Sequence, residues 1–282
     1  MHNEAIRDLH CSGLHLFSIS DDRRLAKWDI RSGTLELVNN DPAWDRLQLI
    51  DVSDNGQYVA VGSYDRSVRI LESERLTEVA KIQNHLAWAK DPRAWVMGVE
   101  FLRSHDEVIV AHIDGSIFQW NWKTKDCYWR TQDGMEAGLH SMAYDDNAEL
   151  LAVGLDDGDI LLWDLKSRKV MHRLIGHAFR VEVLQFSNNG RRLLSASLDT
   201  TCRLWDVKSG ESLLVLEHPG QVQDAAFSPD ESLIATANAN GRVRIWSAPR
   251  DSRSEEKQHV RNTFKSHEGP WNPGGEATTP AG

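Results

Sequence analysis

A tryptophan recurs through this chain at nearly constant intervals, each time at the end of a short apolar run. Trp28, Trp120, Trp163, Trp205 and Trp246 close the runs LAKWD, SIFQWN, DILLWD, TCRLWD and RVRIWS, and Leu71 takes the same place in SVRILE. From 28 to 246 the intervals are 43, 49, 43, 42 and 41 residues. Two more columns keep phase with the first. Asp22, Asp65, Asp114, Asp157, Asp199 and Asn240 stand six residues earlier, and Leu9, Val52, Phe101, Tyr144, Phe186 and Phe227 thirteen residues before those. A fixed period of this length defines a repeat protein whose units bury their apolar faces against one another.

The fifth repeat shows what one unit is. RVEVLQF alternates, SNNG turns, RRLLSAS alternates, LDT turns, TCRLWDV alternates, KSG turns and ESLLVLE ends the unit. Period-two runs separated by Asn, Asp and Gly predict an antiparallel meander of four strands. Such a sheet has two apolar faces, and six of them arranged radially cover those faces and leave short edges. The fold class is therefore all-β.

The Trp-Asp endings, the period and the Gly176-His177 pair resemble those of WD40-repeat β-propellers. The resemblance covers roughly residues 4–247, and the propeller domain is drawn at 1–248. It implies six four-stranded blades, forming either a closed six-bladed ring or a seven-bladed ring that lacks one. It also implies a His, Ser/Thr, Asp and Trp tetrad in each blade, with the His 22 residues before the turn Asp and the hydroxyl four before it. The fifth repeat matches with His177, Ser195, Asp199 and Trp205, and the sixth with His218, Thr236, Asn240 and Trp246. In the first repeat, Ser18, Asp22 and Trp28 fit, but the His position falls before Met1. Val61, Val110 and Val153 replace the hydroxyl in repeats two to four. A buried indole N–H needs an acceptor, and a hydroxyl can relay the bond to His and Asp.

His177, Ser195 and Asp199 also have the chemistry of a nucleophilic triad, which keeps a propeller hydrolase with a central-channel site as the alternative. The serine sits inside a strand without a nucleophile elbow, so a structural role is expected and no catalytic residue is assigned. No phosphate-binding loop or metal-binding helix motif occurs, and Asp156-Asp157-Gly158-Asp159 reads as a turn rather than a calcium loop. Neither cofactor nor metal is expected.

Thirty-two basic against 42 acidic side chains leave a net charge of −10, which disfavours a protein that tracks nucleic-acid phosphates. No apolar run approaches the length of a membrane span. Three widely separated cysteines, Cys11, Cys127 and Cys202, fit no disulfide framework and suggest a reducing, cytoplasmic setting. Residues 249–282 form a Pro- and Gly-rich polar tail, in which 259–265 could supply the fourth strand of the sixth blade.

Propellers of this family act mostly as platforms for proteins and peptides, and the expected function is a non-catalytic interaction scaffold. Positions three and five after the His column, and the one before the turn Asp, are implied to line the binding face. They form an apolar sector of Tyr64, Trp95, Met97 and Ile113 and a polar sector around Arg180 and Glu182. Trp88 and Trp95 in the long loop before the third repeat, and Trp44 in the loop before the second, extend the aromatic sector. An unclosed ring would also invite self-association or a partner that fills the gap.

Overall fold

In a computed structural model, residues 2–83, 95–131 and 137–247 are described in full and 265–270 as backbone. The chain forms 24 strands in six four-stranded antiparallel sheets, each a meander of consecutive strands. Blade one is β1 (Ile6–Ser12) to β4 (Thr34–Asn39), and blade two β5 (Leu47–Val52) to β8 (Thr77–Ile82). Blade three runs from β9 (Val96–Phe101) to β12 (Asp126–Arg130), and blade four from β13 (Leu139–Asp145) to β16 (Lys169–Leu174). Blade five runs from β17 (Val181–Phe186) to β20 (Ser212–Glu217), and blade six from β21 (Val222–Phe227) to β24 (Lys265–Pro270). The molecule is a six-bladed β-propeller. The last strand differs from expectation: β24 pairs with β23 (Arg242–Ser247) through Lys265–Pro270, so the strand placed at 259–265 belongs further along the chain.

The recurring aspartate is first of all a turn residue. The N–H two positions on donates to the side chain of Asp22, Asp65, Asp114, Asp157, Asp199 and Asn240 at 2.8–3.2 Å. The residue between them takes a left-handed φ in all six blades, even where it is Thr200 (72°). An Asx-type bond of this kind stabilises a tight turn without ligand chemistry, which accounts for the Asp156–Asp159 cluster.

Cores form between sheets. Phe17, Ile19 and Leu25 of blade one pack on Ile50, Val52 and Val59 of blade two, and matching clusters join each later blade to its successor. No comparable packing joins blade six to blade one among the described residues.

Blade one departs from the repeat by two residues. Its first hairpin turns through Gly13-Leu14, since Ser12 pairs with His15, whereas in blade two Asp54–Gln57 separate the paired ends. Gly13 takes φ 59°, as a two-residue hairpin turn requires. The shortening moves everything upstream two places, and a histidine fills the position thought to lie before Met1. His2 Nε2 lies 2.8 Å from Ser18 Oγ and its Nδ1 3.1 Å from Asp22, while the Trp28 indole donates to Ser18 at 2.8 Å. Blade one therefore carries a complete tetrad.

In blade five the chain of bonds runs without a gap. Trp205 donates to Ser195 Oγ at 2.8 Å, Ser195 meets His177 Nε2 at 2.7 Å, and His177 Nδ1 meets Asp199 at 2.9 Å. Burial holds His177 below its usual range and therefore neutral at pH 7. Burial opposes charge on Asp199, but hydrogen bonds from His177, Thr201 and Ala178 outweigh it and hold the carboxyl well below the ordinary range. Ser195 is fully buried, so its hydroxyl is spent on the indole and out of reach of a substrate. Blade six corrects one member of its tetrad. His218 Nδ1 donates to the Leu216 carbonyl at 2.9 Å while Nε2 meets Thr236 at 2.8 Å, which leaves Asn240 to its turn alone.

Blade two uses other residues in the same place. Arg69 is 2% exposed, pairs with Asp65 at 2.6 Å and Glu78 at 3.3 Å, and lies 5.6 Å from the Trp44 ring. Trp44 is itself 2% exposed, so it is a core residue under a buried cation and not a member of the binding surface. A buried guanidinium needs such pairing to be tolerated. In blade four, where Val153 replaces the hydroxyl, the Trp163 ring meets Trp129 edge-on at 5.5 Å.

Stability measurements distinguish these roles. Ser195→Ala and His2→Ala each strand buried partners and should cost about 1–3 kcal/mol by urea denaturation. Trp205→Ala should cost about 3–5 kcal/mol. Asn240→Ala should cost less than Ser195→Ala, and an equal loss would return Asn240 to the blade-six network.

Candidate functional site

One backbone bond, repeated six times, builds the rim of the channel. The N–H of Asp21, Tyr64, Ile113, Asp156, Leu198 and Ala239 donates to the carbonyl of Ala5, Arg46, Trp95, Gly138, Arg180 and Gln221 at 2.8–3.1 Å. Each blade thereby ties the residue before its turn aspartate to the start of its innermost strand, at one mouth of the channel. The tie leaves the side chains at both positions free to vary.

In blades two and three that variation produces an aromatic pair. Trp95 is 46% exposed and lies 5.2 Å from Tyr64, with the rings inclined at 59°. Met97 and Ile113 are half-buried behind them and line the same opening. Trp88 lies outside the described residues.

The polar sector is a connected set of charges. Asp156 reaches His140 Nε2 at 3.0 Å and Arg180 Nε at 3.2 Å, and Arg180 reaches Glu182 at 3.5 Å. Burial holds His140 below its usual range, with Asp156 pulling the other way. Sequence reasoning missed the apolar residues beside this network: Ile175 and Phe179, on the loop that opens blade five, are 74% and 63% exposed. Alternation could not mark them, because they lie between strands.

The channel encloses about 690 Å³ and holds an acidic cluster that was also missed. With the two-residue hairpin taken into account, His10, Asp51 and Glu100 occupy one position on the innermost strands of blades one, two and three. His10 Nδ1 lies 3.3 Å from Asp51, whose other oxygen accepts the Phe101 N–H at 2.7 Å. Asp8 stands beside them and accepts the Ile50 N–H at 3.0 Å. Burial pushes the Asp51 carboxyl up to about 7, against the two backbone bonds it accepts. Glu100 is raised well above the usual range by enclosure and then by Asp51 and Asp8. Burial lowers His10. The signal was present as His10, Asp51 and Glu100, but the assumed constant spacing set His10 out of line.

Rigid six-bladed frame, Trp-Asp strand ends and turn-aspartate tetrads together define a WD40-type β-propeller. The chain belongs to this family: a model described as "Nucleolar protein 10-like, N-terminal domain" matches residues 99–250, and the "WD domain, G-beta repeat" model matches 49–71. It is 25% identical to U3 small nucleolar RNA-associated protein 21 of Saccharomyces cerevisiae over 80% of this chain and 23% of that protein. It is 25% identical to Periodic tryptophan protein 2 of Arabidopsis thaliana over 79% of this chain and 24% of that one. Over 38% of the chain it is 37% identical to the human WD repeat and SOCS box-containing protein 1, covering 26% of that protein. The chain thus spans about a quarter of the length of these relatives. They support a protein-interaction scaffold.

The channel acids make a pH prediction with a definite sign. Asp51 and Glu100 are raised in the fold, so the folded chain binds more protons than the unfolded one. Their contribution is full below about pH 4, where both states are protonated, and is lost as pH rises toward and past 7. Glu100→Gln keeps the neutral form throughout. Its melting temperature should gain steadily on that of the wild type from pH 5 to pH 8, and a constant difference would mean that Glu100 is already ionised in the fold.

Proposed function

We propose that this propeller is a non-catalytic interaction platform that takes a protein or peptide on the rim around one mouth of its channel. The observation that carries this reading is the Trp95–Tyr64 pair, in which Trp95 is exposed and packs on a half-buried Tyr64. Large rigid rings that stay open to solvent in a folded protein supply contact area at low entropic cost. The Asp156–Arg180–Glu182 network flanks them and sets orientation. A partner segment with an apolar anchor and basic flanks complements both the aromatic sector and the acidic body.

The nucleolar names of the matching family model and of one relative support a nuclear or nucleolar setting instead of the cytoplasmic one inferred from the cysteines. Nuclear compartments are also reducing, so free thiols suit either place. In such a setting the partner belongs to an RNA-associated complex, and the contact made by this chain is with its protein.

Trp95→Ala and Tyr64→Ala should abolish capture of the partner from native lysate while circular dichroism stays unchanged. Arg180→Ala should weaken capture modestly, with its difference from the wild type shrinking as salt rises. Normal binding by both aromatic variants together with loss in Arg180→Ala would move the interface off the aromatic sector.

A further inference from the structure

Two groups in the channel wall are enclosed acceptors without a donor. Among the described residues, the Glu100 carboxyl takes neither a hydrogen bond nor an ion pair, although the inner strands enclose it. Gln48 Oε1 is buried on the same wall and accepts no hydrogen bond. Buried acceptors are ordinarily satisfied, and leaving one alone is costly. The cationic side chains that line the channel are already paired, Arg7 with Asp21 and Arg180 with Asp156 and Glu182. Asp8 and Asp51 accept backbone N–H groups, and neither meets an arginine or lysine among the described residues.

Strand register sets the depth of each acceptor. Asp51 and Glu100 share one level with His10. Asp8 lies two residues nearer the rim than His10, which is about 7 Å at the rise of a strand. Gln48 lies three residues nearer the rim than Asp51, which is about 10 Å. Leu49, Met97 and Met142 add apolar surface to the same wall.

We infer that the channel binds a linear aliphatic polyamine, with ammonium groups at the levels of Glu100, Asp8 and Gln48 and methylenes against Leu49, Met97 and Met142. Such a molecule consists of donors and methylenes alone, which matches a wall that holds acceptors and apolar surface. A peptide would bring a carbonyl acceptor with every N–H. A divalent metal ion needs a close set of oxygen ligands, and no group of three or more His, Cys, Asp or Glu that could hold one occurs among the described residues. A cavity of about 690 Å³ accommodates a triamine. The site lies below the rim, so it stands or falls without the partner reading.

Isothermal titration calorimetry of the full chain with spermidine tests the inference. At neutral pH and physiological salt, spermidine should bind one to one, and more tightly than putrescine, a diamine that reaches fewer levels. Glu100→Gln keeps the fold and should lose about tenfold or more in affinity, as expected for a charged hydrogen-bond partner. Gln48→Leu should lose less, and in the same direction. Asp126→Asn removes an exposed acid of β12 far from the channel wall and should leave the affinity unchanged, which controls for overall charge. Three results would overturn the assignment: no saturable binding, an affinity indifferent to Glu100→Gln or equally reduced by Asp126→Asn, or competition by magnesium chloride as effective as that by putrescine. The last would mark diffuse attraction to the acidic body.

Discussion

A four-stranded sheet with two apolar faces cannot remain in water uncovered, and the architecture of this chain follows from how each face is met. Burial removes roughly 25 cal/mol for each Å² of apolar surface hidden, so a neighbouring blade is the dominant stabiliser of any one blade. Local sequence makes the meanders, but the contacts between them make the cores. This is why the clusters combine residues from two adjacent sheets. It is also why the first and last blades, each packed on one neighbouring blade among the described residues, leave Ile6, Leu9 and Val243 exposed.

The tetrads are secondary to that packing and reveal it. A complete tetrad is found in blades one and five, and a variant with a carbonyl acceptor in blade six. Blade two reaches the same end with a buried Arg69, its carboxylate partners and Trp44. All of these solve one problem, the burial of a polar group beside the strand that carries the tryptophan column. The chemistry is interchangeable because the requirement is hydrogen-bond satisfaction.

Much of the fold was legible because three columns repeat. Tryptophan, turn aspartate and inner-strand apolar residue mark the ends and middle of each meander, and those positions are dictated by local turn geometry and burial. What escaped notice depended on spacing or on depth. The Gly13-Leu14 hairpin shortens blade one by two residues, and a fixed offset then hides both His2 and the alignment of His10 with Asp51 and Glu100. Trp44 lies in the loop that corresponds to the one carrying Trp88 and Trp95, which suggests the surface, whereas Arg69, 25 positions further along the chain, draws it inward. Of the rim, Tyr64 and Trp95 do meet as the columns implied, since a backbone bond holds both positions in every blade. Phe179 and Ile175 carry no periodicity that would mark them.

The rim and the channel place different demands on whatever approaches them. The rim is fixed by backbone bonds, so its side chains can change without loss of frame and at little cost to stability. The channel is the reverse. Asp8 and Asp51 accept backbone N–H groups from the following blade, so they hold the ring together while adding like charges to its interior. Protonation relieves that repulsion, and so would a cationic group entering from the aromatic mouth. The same carboxylates that join the blades thus make the channel acidic, and neither property can be altered without the other.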